Sequence, residues 1–278
     1  MKRLLTLALA AILPLAVFAA SPKSHDGVVA MSYNIRYGKA EDGTNSWAYR
    51  YPATAMMLDD QRPDVVGLQE ALDDQFSYLK TALDKFYKGV GVGRTDGKKE
   101  GEMTAILYNY KTTSLVKWGT FWLSETPDVP SKGWDAMCYR TATWAILKDK
   151  ASGKKYFVIN THLDHVGELA QKNGLELLIN KIAELNPSGL PVIATGDYNL
   201  EPDAPALEAA RKALSNARET AVVSDDSHTY HGWGKDKKTI DHIWYKGATC
   251  TKFETVTKPY YERKFISDHY PIKATFLL

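Results

Sequence analysis

Carboxylates, amides and imidazoles stand at one end of apolar run after apolar run in this chain. Asn34 ends "AMSYN", Glu70 ends "VVGLQE", Glu102 begins "EMTAILYN" and His162 ends "FVINTH". Asp197 and Asn199 follow "VIAT" in "GDYN", Asp241 lies within "TIDHIW", and Asp268-His269 opens the terminal run "SDHYPIKATFLL". Titratable groups at the mouth of a buried strand cost free energy unless they are solvated or paired. Strand ends that converge on one rim would pair them and make a site, because a sheet positions side chains more accurately than a loop. Asn34, Glu70, Asp197, Asn199 and Asp268 present carboxylate and amide oxygens, a donor set that suits a hard cation such as Mg2+ or Mn2+. A hard ion held by few protein ligands keeps positions open for water and a phosphate oxygen, and stabilises charge during in-line attack. A zinc hydrolase on His162, Asp164 and His165 is a weaker reading, since it lacks a third ligand at useful spacing.

The elements that must carry these residues read as a mixture of strands and helices. Strands are expected over 27–37, 64–70, 101–109, 115–124, 139–149, 154–163, 191–197 and 239–247 and at the C-terminus. Helical stretches are expected over 47–61, 73–83, 166–185 and 205–214, the third from the spacing of Val166, Leu169, Ala170, Leu177, Leu178, Ile182 and Leu185. With no repeat, low-complexity tract or Pro/Ser-rich linker after Asp26, one domain over residues 26–278 is the economical reading. Two mostly antiparallel sheets face to face, with helices outside, accommodate this order.

Residues 1–20 stand apart. Lys2 and Arg3 precede an apolar run from Leu4 to Ala20, broken by Thr6 and Pro14 and ending in small residues, the pattern of a secretory signal peptide. The run sits at the short limit for spanning a bilayer, and after cleavage no stable membrane insertion is expected. A secreted or periplasmic protein follows, expected to be a monomer. The formal net charge of +2 includes Lys2 and Arg3, so cleavage leaves a neutral chain with no global field to gather polyanions. That weighs against a nuclease tracking long duplexes. The remaining cysteines, Cys138 and Cys250, are no disulfide framework, and their spacing leaves open whether they meet.

The ordered set "SYNIRYG", "VGLQE", "GEMTAILYN", "NTHLDH", "TGDYN", "TIDHIW" and "SDHYPI", spanning residues 32 to 272, resembles the endonuclease/exonuclease/phosphatase superfamily. The resemblance implies an α/β fold, a four-layer α/β/β/α sandwich, and Mg2+-dependent hydrolysis of a phosphoester. It implies that Glu70 is the principal metal ligand, with Asn34 and Asp268 beside it. Asp197 and Asn199 would orient the attacking water, with Asn199 also on phosphate or metal. His269 would hydrogen-bond the phosphoryl group with Asp241 as its carboxylate partner. Glu102 and His162 would form a second carboxylate–imidazole pair, with His162 and Arg140 on the substrate phosphate.

The chain departs from the abasic-site endonucleases of that superfamily at Arg36, where they carry Asp, and at His162, where they carry Tyr. Trp122, His231 and Trp233 are candidates to line a substrate cleft. Two carboxylate–imidazole pairs favour a diester, because one imidazole can assist attack and the other the leaving oxygen. The expectation is therefore an exported phosphodiesterase acting on a nucleic acid or phosphosugar-type diester. A phosphomonoesterase, a phospholipid head-group diesterase and an inactive binding protein of the same fold are the alternatives.

Overall fold

The computed structural model describes residues 27–278, so the leader expected over residues 1–20 lies outside the described residues. In chain order the elements are β1 (Val28–Asn34), α1 (Trp47–Gln61), β2 (Val65–Gln69), α2 (Asp73–Ala82), β3 (Tyr87–Val90), β4 (Ile106–Asn109), β5 (Thr113–Trp122) and β6 (Thr141–Asp149). There follow β7 (Lys155–His162), α3 (Glu168–Leu185), β8 (Val192–Asp197), α4 (Glu208–Ala213), β9 (Ser215–Asn216), α5 (Ala217–Thr220), β10 (Asp241–Lys246), β11 (Thr249–Thr255) and β12 (Ile272–Leu277). They form two six-stranded sheets, ordered β11-β12-β1-β2-β4-β3 and β5-β6-β7-β8-β10-β9. Among the described residues β1–β2 and β7–β8 are the parallel pairs, and the rest run antiparallel.

Period-2 alternation sorts the side chains into layers. Val28 and Ala30 of β1 turn inward and meet Val65, Ile106, Val158, Ile193, Ile243 and Phe276 in a core between the sheets. Met31 and Tyr33 turn outward against Met57 and Leu58 of α1 and Phe76 and Leu79 of α2. On the opposite face Phe157, Ile159, Val192 and Ala194 pack against Leu175, Leu178 and Ile182 of α3. This is the α/β/β/α sandwich expected from the sequence.

The inward rows change character toward one rim. On β1 the row runs Val28, Ala30, Ser32, Asn34; on β7 it runs Tyr156, Val158, Asn160, His162; on β8 it runs Ile193, Thr195, Asp197. Hydrogen bonds close the middle tier. Asn160 Nδ2 donates to Leu68 O (2.8 Å) and Ala105 O (3.0 Å), and Asn160 Oδ1 accepts from Gln69 Nε2 (2.6 Å) and Thr195 Oγ1 (3.1 Å). Gln69 Nε2 also reaches Ser32 Oγ at 3.2 Å. A buried amide satisfied on every side stabilises its register, where a half-satisfied one would cost free energy. Gly67 is what lets the sheets approach: a Cβ there would lie 2.2 Å from Thr195 Oγ1 and 2.4 Å from Asn160 Oδ1.

Several boundaries differ from expectation. The strand expected over 101–109 begins only at Ile106, so Glu102 sits on a loop, with Met103 making an isolated bridge to Ala71. The third helix starts at Glu168, not 166, because Asp164 Oδ1 takes the N–H groups of Val166 and Gly167 in a turn. Val166 and Leu169 are exposed rather than in the core. The helix expected over 205–214 is a 3-10 turn at Pro205–Leu207 running into α4. Both cysteines are free: Cys250 is buried and Cys138 is half-buried. Among the described residues no helix is long and apolar enough to cross a membrane.

Gly67→Ala should lower the unfolding free energy by about 1–3 kcal/mol, the usual range for overpacking a tight interior. Urea denaturation checks it, and an unchanged midpoint would mean that the tier has slack.

Candidate active site

The register of the second sheet sets Asp241, Asp197 and His162 abreast on β10, β8 and β7. The first sheet faces them with Asn34, whose Nδ2 donates to Asp197 Oδ2 (3.0 Å) and to Glu70 Oε1 (2.9 Å). Glu70 follows Gln69, which points inward, so strict alternation would send Glu70 to the helix layer. A left-handed backbone at Glu70 (φ 60°) turns it back to the rim, where Tyr37 N donates to its Oε2 at 2.6 Å. Arg36 (φ 63°) and Asn199 (φ 52°) are left-handed too. Such conformations cost about 1–3 kcal/mol each in non-glycine residues and persist where the surroundings over-determine them. Asn199 is held by its N–H on Asp197 Oδ1 (2.9 Å) and its Nδ2 on Leu163 O (3.0 Å).

His269 arrives from the segment before β12 and joins the two halves. Its Nδ1 lies 2.8 Å from Asp241 Oδ2, and its Nε2 lies 3.7 Å from Asp197 Oδ2. Burial alone would favour neutral imidazole, but the charges of Asp241 and Asp197 outweigh it and push His269 up to about 10. Burial and the neighbouring Asp241 carboxylate push Asp197 up to about 7, against the pull of His269. The cluster therefore has a cation with a fixed tautomer beside a carboxyl group whose pKa is raised. Donor atoms of Asp197, Asp241 and His269 lie within 4.8 Å of one another, close enough in spacing to hold a metal. In the arrangement seen here Nδ1 of His269 is engaged by Asp241 and Nε2 faces Asp197, so the three groups form a network of paired charges.

The residues expected to hold a hard cation are on the other wall. Asn34, Glu70 and Asp268 all hang from the first sheet, at the ends of β1 and β2 and just before β12. Burial raises the Asp268 carboxyl, as does the negative charge of Glu70. A buried carboxylate crowded by a second, half-buried one is the electrostatic condition that a dication relieves, and their oxygens suit a hard divalent ion. The residues present fit such an ion.

A match to the model of the "Endonuclease/Exonuclease/phosphatase family" runs over residues 31–269. The chain belongs to this family. A mannosyl-6-phosphatase from Bacteroides thetaiotaomicron is 33% identical, with a TM-score of 0.86 and coverage of 91% of this chain and 100% of that one. An endonuclease/exonuclease/phosphatase from Bacteroides vulgatus is 36% identical, with a TM-score of 0.85 over 91% of this chain and 99% of that one. An uncharacterised protein of Acanthamoeba polyphaga mimivirus is 28% identical over 167 residues, 56% of this chain; the match spans 60% of that protein's length. Members of the family are hydrolases of phosphoesters, generally dependent on a divalent metal.

Within this family fold eight of the expected site residues, Glu70, Glu102, Arg140, His162, Asp197, Asn199, Asp268 and His269, line one cleft of about 560 Å³, and Asn34 and Asp241 are buried, bonded to Asp197 and His269. The expected Glu102–His162 pair is not formed. Glu102, displaced onto a loop, is gripped by Arg94 at 2.6 and 3.0 Å, while His162 Nε2 lies 3.5 Å from Asp197 Oδ2. Burial and the cations Arg140 and Arg94 hold His162 well below the usual histidine range, so it is neutral at physiological pH. Arg140 reaches the cleft but is anchored by Asp164 (3.2 Å) and His165 Nδ1 (3.0 Å). Asp164 is spent on that anchor and on backbone N–H groups, which removes the zinc reading.

Trp122, His231 and Trp233 stand behind the cleft instead of lining it. Trp122 Nε1 donates to Arg94 O (2.7 Å), His231 stacks on Phe265 (4.2 Å between centroids), and Trp233 packs over the Arg50 guanidinium (5.7 Å). Sequence reasoning missed Arg94, Tyr230 and Lys238 as cleft residues. Tyr230 sets its ring 4.9 Å from that of His269. No apolar run points to these loop residues; an Arg in "GRTDGKK" looks like any solvated charge.

In chelator, NMR should find the His269 ring protonated through neutrality and titrating near pH 10. The folded value lies above the unfolded one of about 6.5, so the pair's stabilisation is full below about pH 6.5 and is lost as pH rises through the folded value. The stability gap between the unaltered chain and Asp241→Asn should therefore narrow toward alkaline pH. A His269 ring titrating below about pH 7 would refute this electrostatic account.

Proposed function

We propose that the chain is a divalent-metal-dependent phosphatase of small phosphorylated carbohydrates, acting by in-line attack of water on a phosphomonoester. The observation that carries this reading is the cleft itself: about 560 Å³, with Arg36, Arg94, Arg140 and Lys238 around its walls. A pocket of that size suits a sugar phosphate, and concentrated cations suit a dianionic monoester. The diester expectation rested on two carboxylate–imidazole pairs, and one cationic imidazole, His269, is available. The 33% identity to a mannosyl-6-phosphatase supports a sugar phosphate as substrate class.

A divalent cation on Glu70, Asn34 and Asp268 would neutralise charge on the phosphoryl oxygens. Asp197 accepts the proton of the attacking water, its raised pKa matching a base that works near neutrality. Asn199 holds the Asp197 carboxylate in place through its N–H. His269, kept protonated and in one tautomer by Asp241, donates from Nε2 to the phosphoryl group as charge develops. Neutral His162 and anchored Arg140 add donors on the adjoining wall. The bond between phosphorus and the sugar oxygen breaks, the departing alkoxide takes a proton from solvent, and Asp197 returns to solvent the one it accepted, leaving phosphate and a free hydroxyl.

Assays on the chain without residues 1–20 should show hexose 6-phosphates hydrolysed faster than a bis-aryl phosphodiester, DNA or RNA, with activity requiring Mg2+ or Mn2+ and abolished by chelator. Preference for a diester would overturn the monoester reading, and full activity in chelator would overturn the metal. His269→Ala should reduce kcat by about 10²- to 10⁴-fold, and Asp241→Asn should remove much of the same factor without additivity in the double variant. Glu70→Gln should lose most Mn2+ affinity, because a neutral amide holds a hard dication poorly.

The same reading places the enzyme outside the cytoplasm, on the strength of the segment Lys2–Ala20. Mass spectrometry of fractionated native protein should find an N-terminus near Ala20; an intact Met1 would contradict export.

A further inference from the structure

Arg50, in the first turn of α1, is fully buried, and its hydrogen bonds go to main-chain carbonyls instead of a carboxylate. Nε donates to Asn45 O (2.8 Å), Nη1 to Ile35 O and Ile266 O (3.3 Å to the latter), and Nη2 to Arg36 O (3.1 Å). The guanidinium lies 5.2 Å from the ring centroid of Trp47 and 5.7 Å from that of Trp233. Burying a cation is costly, and a Met of similar volume would fill the same space without that cost.

The carbonyls it holds indicate what the charge achieves. Ile35 and Arg36 directly follow Asn34, and Ile266 stands two residues before Asp268. Ser267 Oγ ties these segments together at Asn34 O (2.7 Å). The turn that carries Trp233 (φ 61°) closes the arrangement, since His231 N (2.9 Å) and Gly232 N (3.2 Å) both donate to Asp268 O. One guanidinium thus fastens the backbone beyond Asn34, the backbone before Asp268, and the aromatic turn that grips Asp268 itself.

We propose that Arg50 is a positioning residue for the metal ligands Asn34 and Asp268: it sets their separation through the main chain while touching neither ion nor substrate. The inference rests on the metal reading given above. Lys cannot replace it, because an ammonium lacks the planar fork that serves carbonyls in several directions at once.

The test is Mn2+ binding by calorimetry on the folded chain, with circular dichroism to establish the fold. Arg50→Lys should bind Mn2+ about tenfold more weakly, the usual scale for losing a group that orients metal ligands. Leu178→Ala, which destabilises the far side of the sandwich, should bind Mn2+ as the unaltered chain does. Unchanged affinity in Arg50→Lys, or an equal loss in Leu178→Ala, would overturn the assignment. If Arg50→Lys does not fold, Trp47→Leu decides: uncovering one face of the guanidinium should weaken Mn2+ binding about threefold, and unchanged affinity would overturn the role. Absence of Mn2+ binding by the unaltered chain would instead remove the metal reading and this inference with it.

Discussion

Asn160 stands at the point where the two sheets must agree. Its amide is buried and fully used, donating to carbonyls of the first sheet's Leu68 and its neighbour Ala105, and accepting from Gln69 of that sheet and Thr195 of its own. In a dry interior each of those bonds is unforgiving, because a donor or acceptor left alone there costs about 1–3 kcal/mol. Apolar packing below this tier tolerates small slides between sheets; an amide with four partners does not. Within either sheet, a pairing slip of one residue would turn that strand's inward side chains outward, so register and site stand or fall together.

The position of this tier along the strands is what makes it matter. Ser32, Asn160 and Thr195 each lie two residues before Asn34, His162 and Asp197, and Gln69 lies one before Glu70. The polar knot therefore sits directly beneath the cleft, between it and the apolar core. It separates the charged rim from the hydrocarbon below and fixes the strand ends from which every rim residue projects. Asp197, nearly inaccessible to solvent, owes its raised pKa first to this dry setting, whereas burial opposes the raised pKa of His269, which the carboxylates of Asp241 and Asp197 produce.

The parts of the site legible in the sequence are those governed by alternation. Asn34, His162 and Asp197 share a face with the apolar residues two and four positions earlier, so a polar side chain at the end of such a row must sit at the rim. What alternation does not govern was not legible. Glu70 was legible as a strand-end acid, but the left-handed backbone that aims it was not, nor was the claim of Arg94 on Glu102 within one loop, nor the cover that Trp233 gives Arg50 from a turn far along the chain. The edge strands β3 and β11 were missed for a related reason. "YKGV" is four residues long with Lys88 and Gly89 at its centre, and β11 breaks its own alternation with a bulge between Cys250 and Lys252. Edge strands carry such features because they blunt pairing with other chains, and the same features erase the pattern.

The two sheets bring different chemistry to the cleft. Asn34, Glu70 and Asp268 come from the ends of strands in the first sheet; His162, Asp197 and Asp241 come from the second. The oxygen donors expected to hold a metal are thus on one wall, and Asp197, Asp241 and His162 are on the other. Two contacts at the rim couple the walls directly: Asn34 with Asp197, and His269, carried by the first sheet, with Asp241 of the second. Because His269 is charged by carboxylates that belong to the opposite sheet, its protonation depends on the sheets being docked. An opening of the sandwich by an ångström or so would weaken that ion pair steeply in a medium of low dielectric. The fold thereby makes correct packing of its two halves a condition for the charge state of His269.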